Sequence, residues 1–568
     1  MSAKENRQFC GKPRALFAIV LVCFIVVSLF GNQIGHFYFR SPDMGVYSLS
    51  LQCYLLLFEV LLGAMAIYLA HAYYHRGINW FFLIGLVLLI IGAAIGDFST
   101  GEITSPDLSP FDFDSSERWL SFLSSCSTLF GLYIVFSYGP LLKYGKRSMG
   151  FVCYVFIILA LVSIGYCLAT EWQALYEIIF NGGSSKGYVI QAFYGSKNNL
   201  SFVIVGAIMA ELTLIHYRHE AWRFIPVILF ALFVVLTLCK ITMFITPIMI
   251  VLFALYEAII NLKRERNFSI VCFLIFGLCV FIALFCLWDP FGIVNVDSII
   301  NSYSTLDARS LLWERCLILL GDNPINLVFG FGEVLFNVIL GSQAESAFSH
   351  NTFLEVLCRG GILRAAAFCL FTFYLLYRLI RRMAKKEGDW FVYLLFYCLL
   401  WFRFALEPDS YFDMNMESII VLCLVIIPLM SDEANVESEG NNEPLVIDFR
   451  ALLADLPVCV FPMAVALFSF YGQLGASILL LCLHLLVCYL RYGDMRARIS
   501  LVALMAIGDV TCLLFSYFFA DSPANLATSI VGPLMFAFLA DGLLKLALGL
   551  DGCGIFCLES PLQLRIRR

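Results

Sequence analysis

His350 and Asn351 stand side by side in the stretch AFSHNTFLEVLCRGGILR (residues 347–364), ahead of Glu355, Arg359, a Gly-Gly pair and Arg364. An imidazole with an ordinary pKa of ~6.5 can take a proton from a hydroxyl at neutral pH. On position alone His350 reads equally well as such a base or as a histidine at the start of a helix. Cations of matching chemistry lie nearby. Between residues 289 and 360 the basic side chains are Arg309, Arg315 and Arg359, and Lys240 occupies a tight turn upstream. Arg grips phosphate oxygens with a planar fork and Lys binds them as a point charge, so about two or three such groups suit a pyrophosphate. Lys240 reads equally as a lysine reaching from a helix end to the membrane surface. Gly330 and Gly332, in FGFGE, allow close backbone approach.

These residues are set among oily segments. The chain has 568 residues, 61% hydrophobic and only 14% charged, with a mean hydropathy of +0.88. Apolar runs of roughly 16 to 20 residues, enough to cross a bilayer core, recur along it. The expected fold is all-α and polytopic. Twelve spans are drawn near 15–31, 48–70, 80–96, 119–140, 149–169, 198–216, 224–239, 243–260, 269–288, 361–379, 390–406 and 416–430. An acidic linker, 431–455, leads to four more spans near 456–471, 475–490, 499–519 and 526–548. The first run follows Lys4, Arg7, Lys12 and Arg14 with no small-residue cleavage site after it, so it reads as a retained span.

With both termini in the cytoplasm, 25 of the 36 Lys and Arg fall on inner segments, as the positive-inside rule expects. The region 289–360 then lies outside, as the largest loop. A large ordered loop among short connections is where function concentrates.

The remaining polar residues exclude more than they suggest. No basic block interleaves with aromatics, which argues against nucleic acid. The 21 cysteines lie mostly in apolar runs without CxxC or Cys/His spacing, so neither a metal nor another cofactor is expected. His71, His75, His216 and His219 fall at inner edges and read as interfacial; His484, inside a span, reads as a hydrogen-bonded structural residue. Glu59 and Asp509 are acids within spans, the kind of residue a proton-coupled transporter uses. No matched pair of broken spans accompanies them.

Four stretches together resemble the bacterial O-antigen ligase and O-antigen polymerase superfamily of membrane glycosyltransferases. RSLLWERCLILLGDNPINLVFGFGE resembles the family's Arg-x-x-x-Trp helix followed by Asn-Pro and a Gly-x-Gly turn. SHNTFLEVLCRGGIL resembles its His-Asn segment, and LTLCKITMFITPIMI its turn between two spans. GSKNNLSFVIV is a looser match to an Asn-containing helix start. The likeness covers about residues 190 to 380.

The resemblance implies transfer of a glycan from an undecaprenyl-pyrophosphate donor to an acceptor hydroxyl at the outer leaflet of the bacterial cytoplasmic membrane, without a metal. His350 would activate or orient the acceptor, and Arg309 and Lys240 would hold the departing pyrophosphate. Asn351, Arg315 and Arg364 would support them. Arg364 stands where many relatives have glycine, and Cys239-Lys240 where many have Ser-Arg. The expected activity is polymerisation onto a lipid-linked acceptor, in company with other polysaccharide-assembly membrane proteins. The alternatives are ligation to a lipid, protein or wall polymer, and a transporter or flippase. The four-span tail lies outside the resemblance.

Overall fold

Apolar side chains at every helical position cannot all face a core, and the helices sort by how much of each the protein covers. A computed structural model describes residues 45–99, 115–142, 146–181, 189–194, 197–288, 351–385, 389–405 and 416–431. Within 17–28, 313–332 and 461–513 it describes them with gaps. Among the described residues the structure is almost entirely helical, without strands. Among the described residues six helices are long and apolar enough to cross a membrane, and six shorter apolar ones accompany them.

In chain order the helices used below are α1 (Gly45–Tyr74), α2 (Trp80–Ser99), α3 (Ser115–Tyr138), α4 (Lys146–Thr170), α5 (Trp172–Asn181) and α6 (Lys197–Arg218). They continue with α7 (Phe224–Leu236), α8 (Lys240–Ile260), α9 (Arg266–Trp288), α10 (Pro324–Phe329), α11 (Thr352–Ala384) and α12 (Trp390–Phe404). Then α13 (Met416–Val421) passes through a π-helical turn (Leu422–Ile426) into α14 (Ile427–Met430), and α15 (Leu474–Arg491) closes the set. Most coincide with apolar runs read from the sequence. The span expected at 526–548 and the linker beyond Ser431 lie outside the described residues.

The chain divides into two compact units. One comprises residues 1–90, 111–142 and 435–568; the other comprises 91–110 and 143–434. In the first, α1 packs on α3, with Phe24 against Phe130 (5.8 Å between ring centres) and Gly63 opposite the same Phe130 ring. Buried His484 pairs through Nδ1 with Asp509 Oδ2 at 2.5 Å, and its Nε2 lies 3.4 Å from Cys488 Sγ. His484 is thus hydrogen-bonded, as expected, and its partner is Asp509, an acid that the sequence sets in an apolar run.

The second unit is built around α6, which is almost wholly buried, whereas α2 is largely exposed. Helices α4, α7, α8 and α13 surround it. Small residues on α6 permit this: a Cβ on Gly206 would come within 2.7 Å of Ile420 Cγ2. A helix that is apolar all round and covered all round is the expected centre of a bundle.

One end of this unit is a charged belt. Arg223 bonds Glu211 (2.9 Å), Glu220 (2.6 Å) and the Tyr154 hydroxyl (2.7 Å). His216 Nδ1 meets Glu257 Oε1 at 2.5 Å, and Asn261 donates to the other oxygen at 2.8 Å. His216 is therefore held by a hydrogen bond to Glu257 rather than being simply interfacial. Arg382 pairs with Asp389 (3.2 Å) and donates to the Pro428 and Ser431 carbonyls; Arg378 donates to those of Leu429 and Met430. Together they satisfy carbonyls that every helix end leaves bare. His75 and His219 adopt left-handed backbone, φ 52 and 54, at the ends of α1 and α6, the turn that more often employs glycine.

Candidate functional site

The other end of the second unit holds Asn351, Lys240 and Arg364, the described residues among those singled out for chemistry. Asn351 begins α11 in extended backbone, and its Oδ1 accepts from the Leu354 amide at 3.1 Å. An asparagine there satisfies one of the bare amides of a helix start. Its Nδ2 donates to the Ala405 carbonyl at 3.3 Å, just past the end of α12. Phe353 packs on Trp401 (5.1 Å) and Phe368 (5.7 Å). The start of α11 is thereby tied to the end of α12.

The sequence suggests a span beginning at residue 361, but the helix starts nine residues earlier and is broken. Gly360 (φ −137°, ψ 17°) and Gly361 (φ 62°, ψ −164°) leave helical geometry. The half-helix 352–359 ends there, and its terminal carbonyls need donors. Phe331 N donates to Cys358 O at 2.7 Å and Gly332 N to Arg359 O at 3.1 Å. The Gly-x-Gly turn supplies both, with Gly330 and Gly332 at φ 77 and 76.

Its glycines do permit close backbone approach, and what they approach is α11. A Cβ on Gly330 would lie 2.5 Å from Gly360 N and 2.6 Å from Cys358 O, and one on Gly361 would overlap the Val328 carbonyl. Gly96 of α2 closes on the same turn, 2.9 Å from the Phe329 oxygen by the same measure. Cys316, in the segment that follows Trp313, faces Cys358. The turn itself is set by α10, whose N-cap Asn323 accepts from Ile325 N at 2.9 Å, with Pro324 at the first helical position. Non-helical backbone within an apolar bundle is tolerated where protein supplies its hydrogen bonds.

Charged side chains flank the break. Arg359 Nη2 lies 2.8 Å from Glu355 Oε1 and its Nε lies 2.9 Å from the same atom; the two residues are 7% and 1% exposed. Arg364 is 5% exposed, and its side chain crosses the face of Gly360. It is a buried cation. Arg403, near the end of α12, is 1% exposed with its guanidinium 4.2 Å from the centre of the Phe202 ring. Arg403, Phe202 of α6, and Thr242 and Ile245 of α8 line one small cavity. Position at a helix C-terminus favours the cation.

Lys240 is the first residue of α8 and is exposed. The preceding turn holds Leu238 at φ 55, and Phe244 one turn on packs against Phe402 (5.4 Å). Lys240, Asn351 and Arg403 therefore belong to one end of the unit. His350, Arg309 and Arg315 lie outside the described residues, as does most of the loop expected between 289 and 360. Among the described residues no three His, Cys, Asp or Glu side chains gather in a metal-binding arrangement.

Sequence reading passed over Arg403 and the Glu355–Arg359 pair. The pair carried a signal, since an acid and an arginine at i and i+4 meet on a helix. It was obscured by assigning residues 352–360 to a loop. Arg403, a charge inside WFRF, carried the general signal of an ionisable residue within an apolar run.

Compared with known proteins, the chain matches no family model, no curated protein and no solved structure.

Proposed function

We propose that the chain is a polytopic bacterial membrane glycosyltransferase with a twelve-span core, both termini cytoplasmic, that acts on an undecaprenyl-pyrophosphate-linked glycan at the outer leaflet. It transfers that glycan to a lipid-linked acceptor and so elongates a surface polysaccharide. The observation that carries this reading is the junction at Gly360–Gly361. There the segment opening with Asn351 bonds to the Gly-x-Gly turn at 330–332, so two stretches of the resemblance, separated in sequence, close on one another.

In this reading His350, next to the N-terminus of the half-helix, receives the acceptor hydroxyl proton as the oxygen attacks the anomeric carbon. The bond from that carbon to the pyrophosphate oxygen breaks. Lys240 and Arg309 stabilise the charge that develops on the leaving group, the role fixed cations serve in a water-poor site. Arg403 and Arg364 add positive potential from below. The charged belt, rich in arginine, is then the cytoplasmic end.

The test is elongation by the purified full-length protein in detergent, supplied with an undecaprenyl-pyrophosphate-linked oligosaccharide repeat. Longer lipid-linked products and free undecaprenyl pyrophosphate are expected, and His350→Ala abolishes both. A folded protein that consumes no donor, with this or a lipid acceptor, removes the proposal.

A further inference from the structure

The first unit contains a buried carboxylate that the proposed transfer does not use. Glu59 lies midway along α1, 0% exposed. Its Oε1 accepts from Ser127 Oγ of α3 at 2.6 Å. A second hydroxyl, Ser28, also 0% exposed, faces the same carboxylate. Yet Glu59 Oε2 and Ser28 Oγ reach no hydrogen-bonding geometry with each other or with any other described residue. Two buried oxygens close to one another therefore lack a hydrogen bond of good geometry among the described residues.

No described Lys, Arg or His pairs with this acid. Of the groups packed against it, Ser127 comes from α3 and Ser28 from the segment before α1. The ionisable residues on α3 nearest its start, Glu117 and Arg118, lie nine or ten positions before Ser127, about 13 Å or more along the helix axis. Cys23 is five positions before Ser28. A charge buried without a counter-charge is strongly disfavoured, so such a group is neutralised by a proton or by a bound cation. The ligands on offer are all oxygen, which suits a hard cation. They carry a single negative charge, which one positive charge cancels.

We infer that Glu59, Ser127 and Ser28 form a monovalent-cation site within the first unit, where a proton and Na⁺ compete for Glu59 Oε2 beside Ser28 Oγ. The site is separate from the transfer chemistry and does not depend on it.

The test uses the full-length protein in detergent and dicyclohexylcarbodiimide, an apolar reagent that adds to protonated carboxyls in apolar surroundings. Peptide mass spectrometry locates the adduct. The expected adduct is on Glu59, increases as pH falls, and is suppressed when NaCl replaces choline chloride at constant ionic strength. Glu59→Gln removes it. Ser127→Ala and Ser28→Ala, each checked for an unchanged gel-filtration profile, raise the Na⁺ concentration giving half-protection by about tenfold, the effect of losing one polar partner of a buried charge. Absence of the Glu59 adduct in folded protein, an adduct indifferent to Na⁺, or modification of the His484-paired Asp509 in its place overturns the inference.

Discussion

The Phe331 amide donates to the Cys358 carbonyl across 2.7 Å, joining a glycine-flanked turn to the end of a half-helix. That bond and its neighbour from Gly332 replace hydrogen bonds that an unbroken α11 would have made internally. In apolar surroundings a bare carbonyl is costly, so the break and the turn require one another.

Gly361→Ala is expected to prevent this fit. The residue sits at φ 62 and its added methyl would overlap the Val328 backbone. Left-handed strain and a clash with backbone together predict a loss of at least about 3 kcal/mol, read as a fall in thermal midpoint or in recovered monodisperse protein. Gly277→Ala in α9, where the methyl meets nothing within 4 Å, is the contrast. It should be neutral or stabilising by up to about 1 kcal/mol. Equal behaviour of the two variants would argue against the break.

Glu355→Leu alone should be severely destabilising, because it strips a buried guanidinium of its carboxylate; removal of one partner of such a pair costs about 3–5 kcal/mol. The double variant Glu355→Leu, Arg359→Leu should recover much of that loss. A thermal-unfolding double-mutant cycle measures the coupling, and additive losses would mean the pair is not formed.

Asn351→Ala should cost about 1 kcal/mol through the lost cap, and more through the lost bond to Ala405. Asn351→Asp keeps the acceptor for Leu354 but not the donor to Ala405, so it should fall between wild type and alanine in thermal midpoint. Identical midpoints for Asp and wild type would remove the Ala405 bond from the account.

Lys240→Ala should leave stability within about 0.5 kcal/mol, as exposed substitutions do, while lowering transfer. Arg403→Lys keeps the charge but loses the planar face set over Phe202, and should lower both stability and transfer. Donor consumption by purified variants separates the two effects. Full transfer by Lys240→Ala would exclude that residue from the phosphate site.

Much of the helical framework was legible because the apolar runs near α4, α6, α8 and α12 are long and end in polar or glycine-containing turns. The start of α11 was not. Glu355 and Arg359 make 352–360 too polar to read as part of a span, and only their mutual pairing makes burial tolerable. Gly330, Gly332 and Gly361 were visible as glycines, but nothing local states that one turn would supply hydrogen bonds to a helix end 27 residues later, from Phe331 to Cys358. Arg403 was hidden for the opposite reason, since its setting is so apolar that WFRF reads as uninterrupted span. His216 read as interfacial because its partner, Glu257, lies on another helix.

Arg378 and Arg382 hold the carbonyls of residues 428–431, and this has a consequence for biogenesis. The chain is synthesised from its N-terminus, so both guanidinium donors emerge before their acceptors. The segment ending at Ser431 thus finds its hydrogen-bond donors in chain that has been made before it.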